Sequence, residues 1–383
     1  MKTNIRDKEK NIIERKNKNK FKDNKLSKTL LPMLVPVGMI FFSFFVGAII
    51  MLIFGYNPIK AYVSLMRGAF VGNLNLTQTL LNSVPLIFTG LAVAFAFRCG
   101  LFNIGAEGQL YLGSLASTYL ATTIVLPAIL HVPLILIAGA LAGGLWAFLP
   151  GILKAKTGSH EVITTMMMSW IGVFFSSYVI RNILRDPRTD LPVSKTIYKS
   201  AELIKIDKIL PIPALKGTRL HIGFFIAILT ALLIWYIIKK TTIGYEVRAV
   251  GFNPYASEYA GISIGKNTIL ALFISGMLAG LAGTVEVAGL HHKLWDRYSA
   301  MYGFTGIAVA LLAKNNPIGV IFGAILFGAI QAGGKSMQLD AKVPVDMTDI
   351  LEGIIIFAVA AEEIIKMFIR AQEKRRLAKI GTT

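Results

Sequence analysis

Long apolar segments separated by short polar ones dominate this chain of 383 residues. A helix needs about 20 apolar residues to cross a bilayer, and six stretches approach or satisfy that length. These stretches are Leu31–Phe54, Thr79–Phe97, Val132–Leu153, Val162–Val179, Ile222–Ile238 and Thr268–Ala288. The pattern predicts an all-α integral membrane protein.

Four further segments bring the prediction to about ten transmembrane helices. A more polar run covers Ile104–Leu126, and a last run begins near Met347. Two shorter runs, Phe304–Ala313 and Ile318–Ala332, flank the polar residues 314–317. They are either two full crossings or one re-entrant hairpin beside eight full crossings. Both alternatives leave the two termini on the same side of the membrane.

Composition supports a membrane protein and indicates its orientation. Hydrophobic residues make up 54% of the chain and charged residues 16%, whereas soluble domains carry about 25% charged residues. The net charge is +19, and Met1–Lys28 contains eleven Lys or Arg against four acids. A basic flank of a membrane helix is typical of the cytoplasmic side and of anionic lipid, so we expect membrane lipids and not nucleic acid as its partner.

The charges divide the chain into three parts with cytoplasmic termini. We expect a basic extension at 1–30, a transmembrane domain at 31–370 and a basic tail at 371–383. The domain contains an outer loop at 181–220 and a cytoplasmic loop at 239–266. The outer loop carries nine basic residues and four acids, which opposes the positive-inside rule, and the other loops outweigh it.

The sequence GLFNIGAEGQL at residues 100–110 places polar side chains inside an apolar region. The acid Glu107 is expensive there, because a charged group at the bilayer centre costs roughly 2.5 to 3.5 kcal/mol on insertion scales, and the polar Asn103 and Gln109 lie beside it in the sequence. One interpretation is that they line a translocation path and bind hydroxyl groups of a solute. The other is a polar network that packs helices and satisfies backbone groups.

A second polar stripe lies on the helix predicted over Val162–Val179. Thr165, Ser169, Gly172 and Ser176 are spaced by four, three and four residues, which places them on one helix face beside Trp170. Such a stripe suits either a neutral ligand with an aromatic base and hydroxyls or helix packing. The small residues of SGMLAGLAG at 275–283 favour close helix packing or a subunit interface.

The cytoplasmic loop contains a short predicted helix. Asn253 is a suitable N-cap, and Pro254 suits the first helical position. This segment either contacts a soluble partner or is an ordinary surface loop.

Three motifs at these positions resemble the membrane subunits of bacterial ABC importers. They are GLFNIGAEGQL at 100–110, GYEVRAVGFNPYASEYAGI with SGMLAGLAGT within 244–284, and GFTGIAVALLAKNNPIGV at 303–320. The chain is most similar to the permeases for nucleosides and simple sugars, which are related to the ribose and branched-chain amino acid permeases. The resemblance extends over Leu31–Phe368 and leaves out the basic N-terminal extension.

The resemblance implies a permease of the bacterial plasma membrane that imports a nucleoside, or alternatively a simple sugar, by alternating access. Its implied partners are an ABC ATPase subunit, a second permease that is related but different, and an extracellular solute-binding lipoprotein or protein. The loop at 248–261 matches the coupling helix that docks on the ATPase. The implied contact residues are Arg248, Asn253, Pro254, Tyr255, Ala256 and Tyr259.

The chain contains no nucleotide-binding motif. We therefore expect ATP to be bound by the partner subunit. The resemblance implies a transport subunit without enzymatic activity, and we expect no cofactor or metal in this chain. A rival within transport is a proton-coupled secondary transporter with Glu107 as the proton carrier. A membrane enzyme is a weaker rival, because the sequence offers no convincing acid pair or nucleophile and base at one membrane face.

Overall fold

A computed structural model describes residues 38–209, 215–359 and 361 of the chain. The predicted basic extension at 1–30 and the basic tail at 371–383 lie outside the described residues. The described residues divide into a large unit, 51–352, and a small unit that contains 38–50, 353–359 and 361. In the small unit the Ser43 hydroxyl donates a hydrogen bond to the carbonyl of Ile354 at 3.4 Å.

The regular structure of the described residues is helical, with three isolated β-bridges. The helices are α1 (Gly38–Ile53), α2 (Pro58–Phe70), α3 (Asn73–Arg98), α4 (Ala106–Thr123), α5 (Ala128–Thr157), α6 (Glu161–Asn182), α7 (Ile206–Ile209), α8 (Gly223–Lys240), α9 (Thr242–Phe252), α10 (Pro254–Tyr259), α11 (Ile264–Glu286), α12 (Tyr302–Leu312), α13 (Pro317–Ala341) and α14 (346–359). A π-helical turn, Val287–His291, extends α11.

Six helices of the described part are long and apolar enough to cross a membrane, namely α3, α5, α6, α8, α11 with its π-helical extension, and α13. The all-helical prediction is therefore confirmed, while the set of about ten crossings is not. The helix α13 has 25 residues, so the second of the two short predicted runs is long enough to cross. The helix α12 has 11 residues and measures only about 16 Å, roughly half a bilayer.

One helix, α2, was not predicted by the apolar runs. Its buried residues Ala61, Ser64, Leu65, Gly68 and Ala69 follow helical spacing, which is the amphipathic pattern of one buried face. Its start is encoded locally, because the Asn57 side chain accepts hydrogen bonds from the N–H groups of residues 59 and 60, and a proline opens the helix. This combination of N-cap and proline was the available signal.

Small residues hold the centre of the large unit together. In α11, Gly280 lies against the backbone of Gly139 and Gly143 in α5 and of Gly113 in α4, so close that a Cβ atom at any of these positions would collide. Such approach lets helices pack through van der Waals contact in a medium that offers no hydrophobic driving force. The packing interpretation of SGMLAGLAG is confirmed.

The predicted outer loop is folded onto the end of α11. Backbone hydrogen bonds join Ile197 to His292 at 3.0 Å and Leu203 to Ala288 at 2.9 Å. The buried imidazole of His221 accepts from the N–H of Gly223 at 3.1 Å. Burial, and then the charge of His292, lowers the pKa of His221 to about 4, so this ring is neutral at ordinary pH.

We predict that Gly280→Ala destabilises the helix packing. The added methyl meets the Gly139 carbonyl, and overpacking costs typically 1 to 3 kcal/mol. The thermal unfolding midpoint of the detergent-solubilised protein should fall by several degrees. Gly265→Ala is the matched control in the same helix, because a Cβ there has only Ala155 at 3.6 Å. Equal midpoints for the two variants would contradict the packing account.

Candidate functional site: two helix starts buried around Glu107

The polar motif at 100–110 marks a break between two helices. The helix α3 ends at Arg98 and α4 begins at Ala106, and Gly100 at φ 74° takes the left-handed conformation that the turn requires. The first N–H groups of any helix lack partners within it. In an apolar surrounding each unsatisfied group costs several kcal/mol, so the start of α4 needs acceptors from elsewhere.

Hydroxyl groups of α6 accept from one N–H group within this helix start and from one just before it. The N–H of Ile104 donates to Thr165 Oγ1 at 3.2 Å, and the N–H of Gly108 donates to Ser169 Oγ at 3.0 Å. Thr165 and Ser169 are both buried. A neighbouring helix thus caps the start of α4, which serves the same purpose as an N-cap side chain within one helix.

Asn103 and Gln109 form a closed pair of amides. Asn103 Nδ2 donates to Gln109 Oε1 at 2.9 Å, and Gln109 Nε2 returns a bond to Asn103 Oδ1 at 3.1 Å. Asn103 also donates to the Ser275 hydroxyl of α11 at 2.8 Å and accepts from the N–H of Gly105 at 2.9 Å. A buried polar network whose members are bonded to each other fixes a unique arrangement.

Glu107 joins the start of α4 to the start of a second buried helix. It occupies the first turn of α4, and its Oε2 accepts from the N–H of Gly303 in the first turn of α12 at 2.7 Å. The hydroxyl of Ser299 also hydrogen-bonds to the carboxylate. The carboxylate therefore lies at the positive ends of two helix dipoles, where negative charge is stabilised. A Cβ at position 303 would collide with the backbone of Glu107, so glycine is required there.

The polar stripe of α6 faces α4, whereas its tryptophan lies on another face. Gly172 packs against Gly108, and the buried Ser176 hydroxyl has no hydrogen-bond partner among the described residues. Trp170 is 46% exposed. The structure therefore brings Asn103, Glu107, Gln109, Thr165 and Ser169 together and separates Trp170 from them.

The sequence analysis missed a second buried acid near this site. Glu286 is buried at the end of α11, and its Oε2 lies 3.2 Å from His291 Nε2. Tyr298 hydrogen-bonds to Ser114, and its ring lies 5.3 Å from that of Tyr111. An acid inside the predicted run Thr268–Ala288 was the available signal for Glu286. No group of three metal-ligating side chains occurs within the described ranges.

The predicted short helix of the cytoplasmic loop is present as α10. Asn253 Oδ1 accepts from the N–H of Ala256 at 3.1 Å, and Pro254 opens the helix, so the N-cap prediction is confirmed. Arg248 in α9 donates to the carbonyl of Gly244 at 3.1 Å. The aromatic rings here are strongly exposed, at 83% for Tyr255 and 97% for Tyr259.

The loop with these exposed rings packs directly beneath the helix break. Gly251 of α9 lies so close to Arg98 that a Cβ would collide with the Arg98 carbonyl, and a Cβ at Gly100 would lie 3.4 Å from the Gly251 Cα. Arg98 in turn donates to the carbonyl of Asn315, between α12 and α13, at 3.0 Å. These residues form one contact zone, which connects α9 with the turn before α4 and with the turn after α12.

Comparison with known proteins identifies relatives over nearly the whole chain. Residues 75–360 match the family model described as branched-chain amino acid transport system / permease component. The guanosine ABC transporter permease protein NupP of Bacillus subtilis is 42% identical over 91% of this chain and 99% of its own. The nucleoside ABC transporter permease protein NupB of Lactococcus lactis is 39% identical over 91% of this chain and 94% of its own.

More distant similarity extends to other transport systems. The glucose ABC transporter permease protein TsgB13 of Haloferax volcanii is 31% identical over 87% of this chain and 88% of its own. Two proteins named for the guanosine and nucleoside systems, NupQ of Bacillus subtilis and NupC of Lactococcus lactis, are each 26% identical, over 66% and 65% of this chain and 79% and 78% of their own. No solved structure matches.

We predict that Glu107→Gln retains assembly and alters solute uptake. The glutamine carbonyl still accepts from Gly303, while the charge between the two helix starts is lost. Glu107→Ala leaves that buried N–H unpaired, which costs about 1 to 3 kcal/mol, and should lower the yield of folded protein in the membrane. Folded yield by size-exclusion chromatography and uptake per folded molecule separate the two effects. If Gln and Ala variants lose the same yield, the hydrogen-bonding role of the carboxylate is wrong.

Proposed function

Because this chain belongs to the family of branched-chain amino acid transport system permease components and is the permease subunit of an ABC transporter, we propose that it imports nucleosides. It is a transport subunit and not an enzyme. The substrate assignment rests on the 42% and 39% identity, over 91% of the chain, to permeases named for guanosine and nucleosides. A simple sugar is the second candidate, supported by the glucose permease at 31% identity.

The proposed topology has ten crossings of the bacterial plasma membrane and cytoplasmic termini. In this arrangement Lys154, Lys156, Lys239 and Lys240 at the ends of α5 and α8 lie in the cytoplasm, as the positive-inside rule favours. The non-helical residues 292–301 followed by α12 make one crossing, and α13 returns. In this proposed topology the two short apolar runs are separate crossings and not a hairpin.

The exposed surface of α9 and α10 is the proposed contact with the ATPase subunit. Phe252, Tyr255 and Tyr259 present three aromatic rings with exposed fractions of 83% to 97%. Large aromatic side chains are enriched at the centres of protein interfaces. Asn253 and Pro254 fix the start of α10, Ala256 lies in its first turn, and Arg248 stabilises α9. ATP binds to the partner subunit, and this chain needs no cofactor of its own.

Force from the ATPase reaches the buried site through the zone where α9 touches the helix break. A displacement of α10 moves Gly251 against Arg98 and Gly100, and Arg98 is bonded to the turn between α12 and α13. The two helices whose starts meet at Glu107 are thus both held at this zone. Closure of the ATPase pair would shift them together, which is the rigid-body change that alternating access requires.

The remaining partners are a second permease chain and an external binding protein. The bacteria that contain NupP and NupB each contain a second related permease, NupQ or NupC, and we propose the same pairing with a related but different chain. The outer loop at 181–220, described at 181–209 and 215–220, is the surface on which an extracellular solute-binding lipoprotein or protein would dock. Membrane lipids surround the pair, and nucleic acid has no role.

We predict that import of labelled guanosine requires this chain and ATP. Cells that lack the chain should lose uptake, and depletion of ATP should stop it in cells that contain the chain. A protonophore applied while ATP is maintained should leave most uptake intact. Competition by excess glucose or ribose is the control for the sugar alternative. Uptake that follows the proton gradient and survives ATP depletion would establish the secondary transporter with Glu107 as proton carrier.

We also predict that Ala256→Arg and Tyr259→Arg abolish uptake and co-purification of the ATPase. A long charged side chain at an aromatic contact prevents close packing, and the exposed positions leave the fold unchanged. Tyr198→Arg is the matched control for ATPase retention, since Tyr198 is an exposed aromatic on the outer loop, away from α10. Affinity purification followed by immunoblotting measures the retained ATPase. Retention of the ATPase by both α10 variants would remove α10 from the interface.

A further inference from the structure

Three aromatic side chains form an exposed stripe along α6. Trp170, Phe174 and Tyr178 are spaced by four residues, which places them on one helix face, and their exposed fractions are 46%, 55% and 61%. The rings of Trp170 and Phe174 lie 6.2 Å apart between centroids, tilted by 32°. The stripe lies on a different face from the hydroxyls that cap α4.

A non-helical segment runs beside this stripe toward the buried site. Asp296 accepts hydrogen bonds from Ser177 at 2.6 Å and from Arg181 near the outer end of α6. Seven residues later, the N–H of Gly303 donates to the Glu107 carboxylate. The next residue after Glu107, Gly108, donates its N–H to Ser169 in the inner half of α6. The segment therefore passes along much of α6, from its outer end into its inner half.

The conformation and exposure of this segment argue against contact with lipid. Arg297 and Met301 are exposed, and both take left-handed backbone conformations at φ 52° and 59°, which are sparsely populated for residues other than glycine. Irregular backbone at membrane depth occurs only where protein buries it or where it lines a water-filled cavity. Because these two residues are not buried by the chain itself, they face either an aqueous cavity or the second permease of the proposed pair.

The position of the Arg297 charge leads to the same conclusion. Its guanidinium carbon lies 5.6 Å from the centroid of the Phe174 ring. The helix α6 has 22 residues and measures about 33 Å, so Phe174 lies within about 5 Å of its middle. A guanidinium exposed to lipid at that depth is strongly unfavourable. The face with Trp170, Phe174 and Arg297 is thus not exposed to hydrocarbon.

We propose that Trp170, Phe174 and Arg297 form a stacking subsite for the aromatic base of the solute on the wall of the translocation path. This inference rests on the proposed import of nucleosides and assigns the residues that contact the base. A base has a flat π-face that stacks on aromatic rings irrespective of its identity, and a guanidinium both stacks and donates hydrogen bonds to ring nitrogen and carbonyl acceptors. Asp296 is already occupied by Arg181 and Ser177, so the ligand-facing charge is that of Arg297.

Thiol labelling tests whether the stripe lies in the path. The chain has one cysteine, Cys99, which is buried, so the parent protein provides an unreactive background. We expect Phe174→Cys in the assembled transporter to react with a membrane-impermeant, positively charged methanethiosulfonate, and added guanosine to slow the reaction. Leu229→Cys is the control, because Leu229 is 67% exposed on the predominantly apolar helix α8, and it should stay unmodified.

Labelling at position 174 as slow as at position 229 would show that lipid or the second permease covers the stripe, and the subsite would be overturned. Guanosine uptake by the parent protein is measured in the same membranes. If the parent protein takes up guanosine, slow labelling at position 174 contradicts only the subsite. If the parent protein takes up no guanosine, the proposed function itself is contradicted.

A second pair of variants tests the stacking chemistry. Phe174→Leu removes the ring and should lower guanosine uptake about ten-fold, a value within the range for loss of one stacked base, while Phe174→Tyr should retain uptake. Both variants should co-purify with the ATPase as the parent does. Arg297→Lys keeps the charge without the planar group and should reduce uptake less than Arg297→Gln. Unchanged uptake by Phe174→Leu would overturn the role of the ring.

Discussion

The structure depends on how two helix starts are satisfied inside an apolar chain. The helices α4 and α12 both begin inside the packed chain, where the N–H groups of the buried residues Gly108 and Gly303 need acceptors from other helices. The Glu107 carboxylate accepts from α12 while it occupies the first turn of α4. Thr165 and Ser169 of α6 satisfy further N–H groups beside α4. Hydrogen bonds to backbone N–H groups therefore hold α4, α6 and α12 together. Leaving such a buried N–H group unpaired would be costly.

The same constraint places a polar network at the centre of an otherwise apolar unit. Interfaces and packed cores switch between discrete arrangements and do not deform continuously. The turn before α4 lies against Gly251 of α9, and the turn after α12 is bonded to Arg98 in the same zone. In the proposed transport cycle, displacement of α9 and α10 would therefore reach both α4 and α12.

Local sequence patterns predicted the helices whose position depends on apolar length or on a cap within the same segment. Apolar length identified α3, α5, α6, α8 and α11, and the sequence Asn253-Pro254 identified the start of α10. The partner of Glu107 was not predictable in this way, because Gly303 lies 196 residues away and no periodicity links the two. The stripe on α6 shows the same limit. Spacing placed Ser169 and Ser176 on one face, yet only the packed structure shows that this face meets α4 while Trp170 remains exposed.

The exposed stripe on α6 requires a second wall. A water-filled path in a bilayer must be separated from lipid on every side, and one chain provides Trp170, Phe174 and Arg297 on one side only. In the proposed pair with a related but different permease, the opposite wall carries other side chains. Such a path is asymmetric, which suits a solute with an aromatic base at one end and a hydroxylated sugar at the other. A symmetric pair would present two aromatic walls and would leave the sugar hydroxyls without a dedicated partner, so the chemistry of a nucleoside favours two different chains.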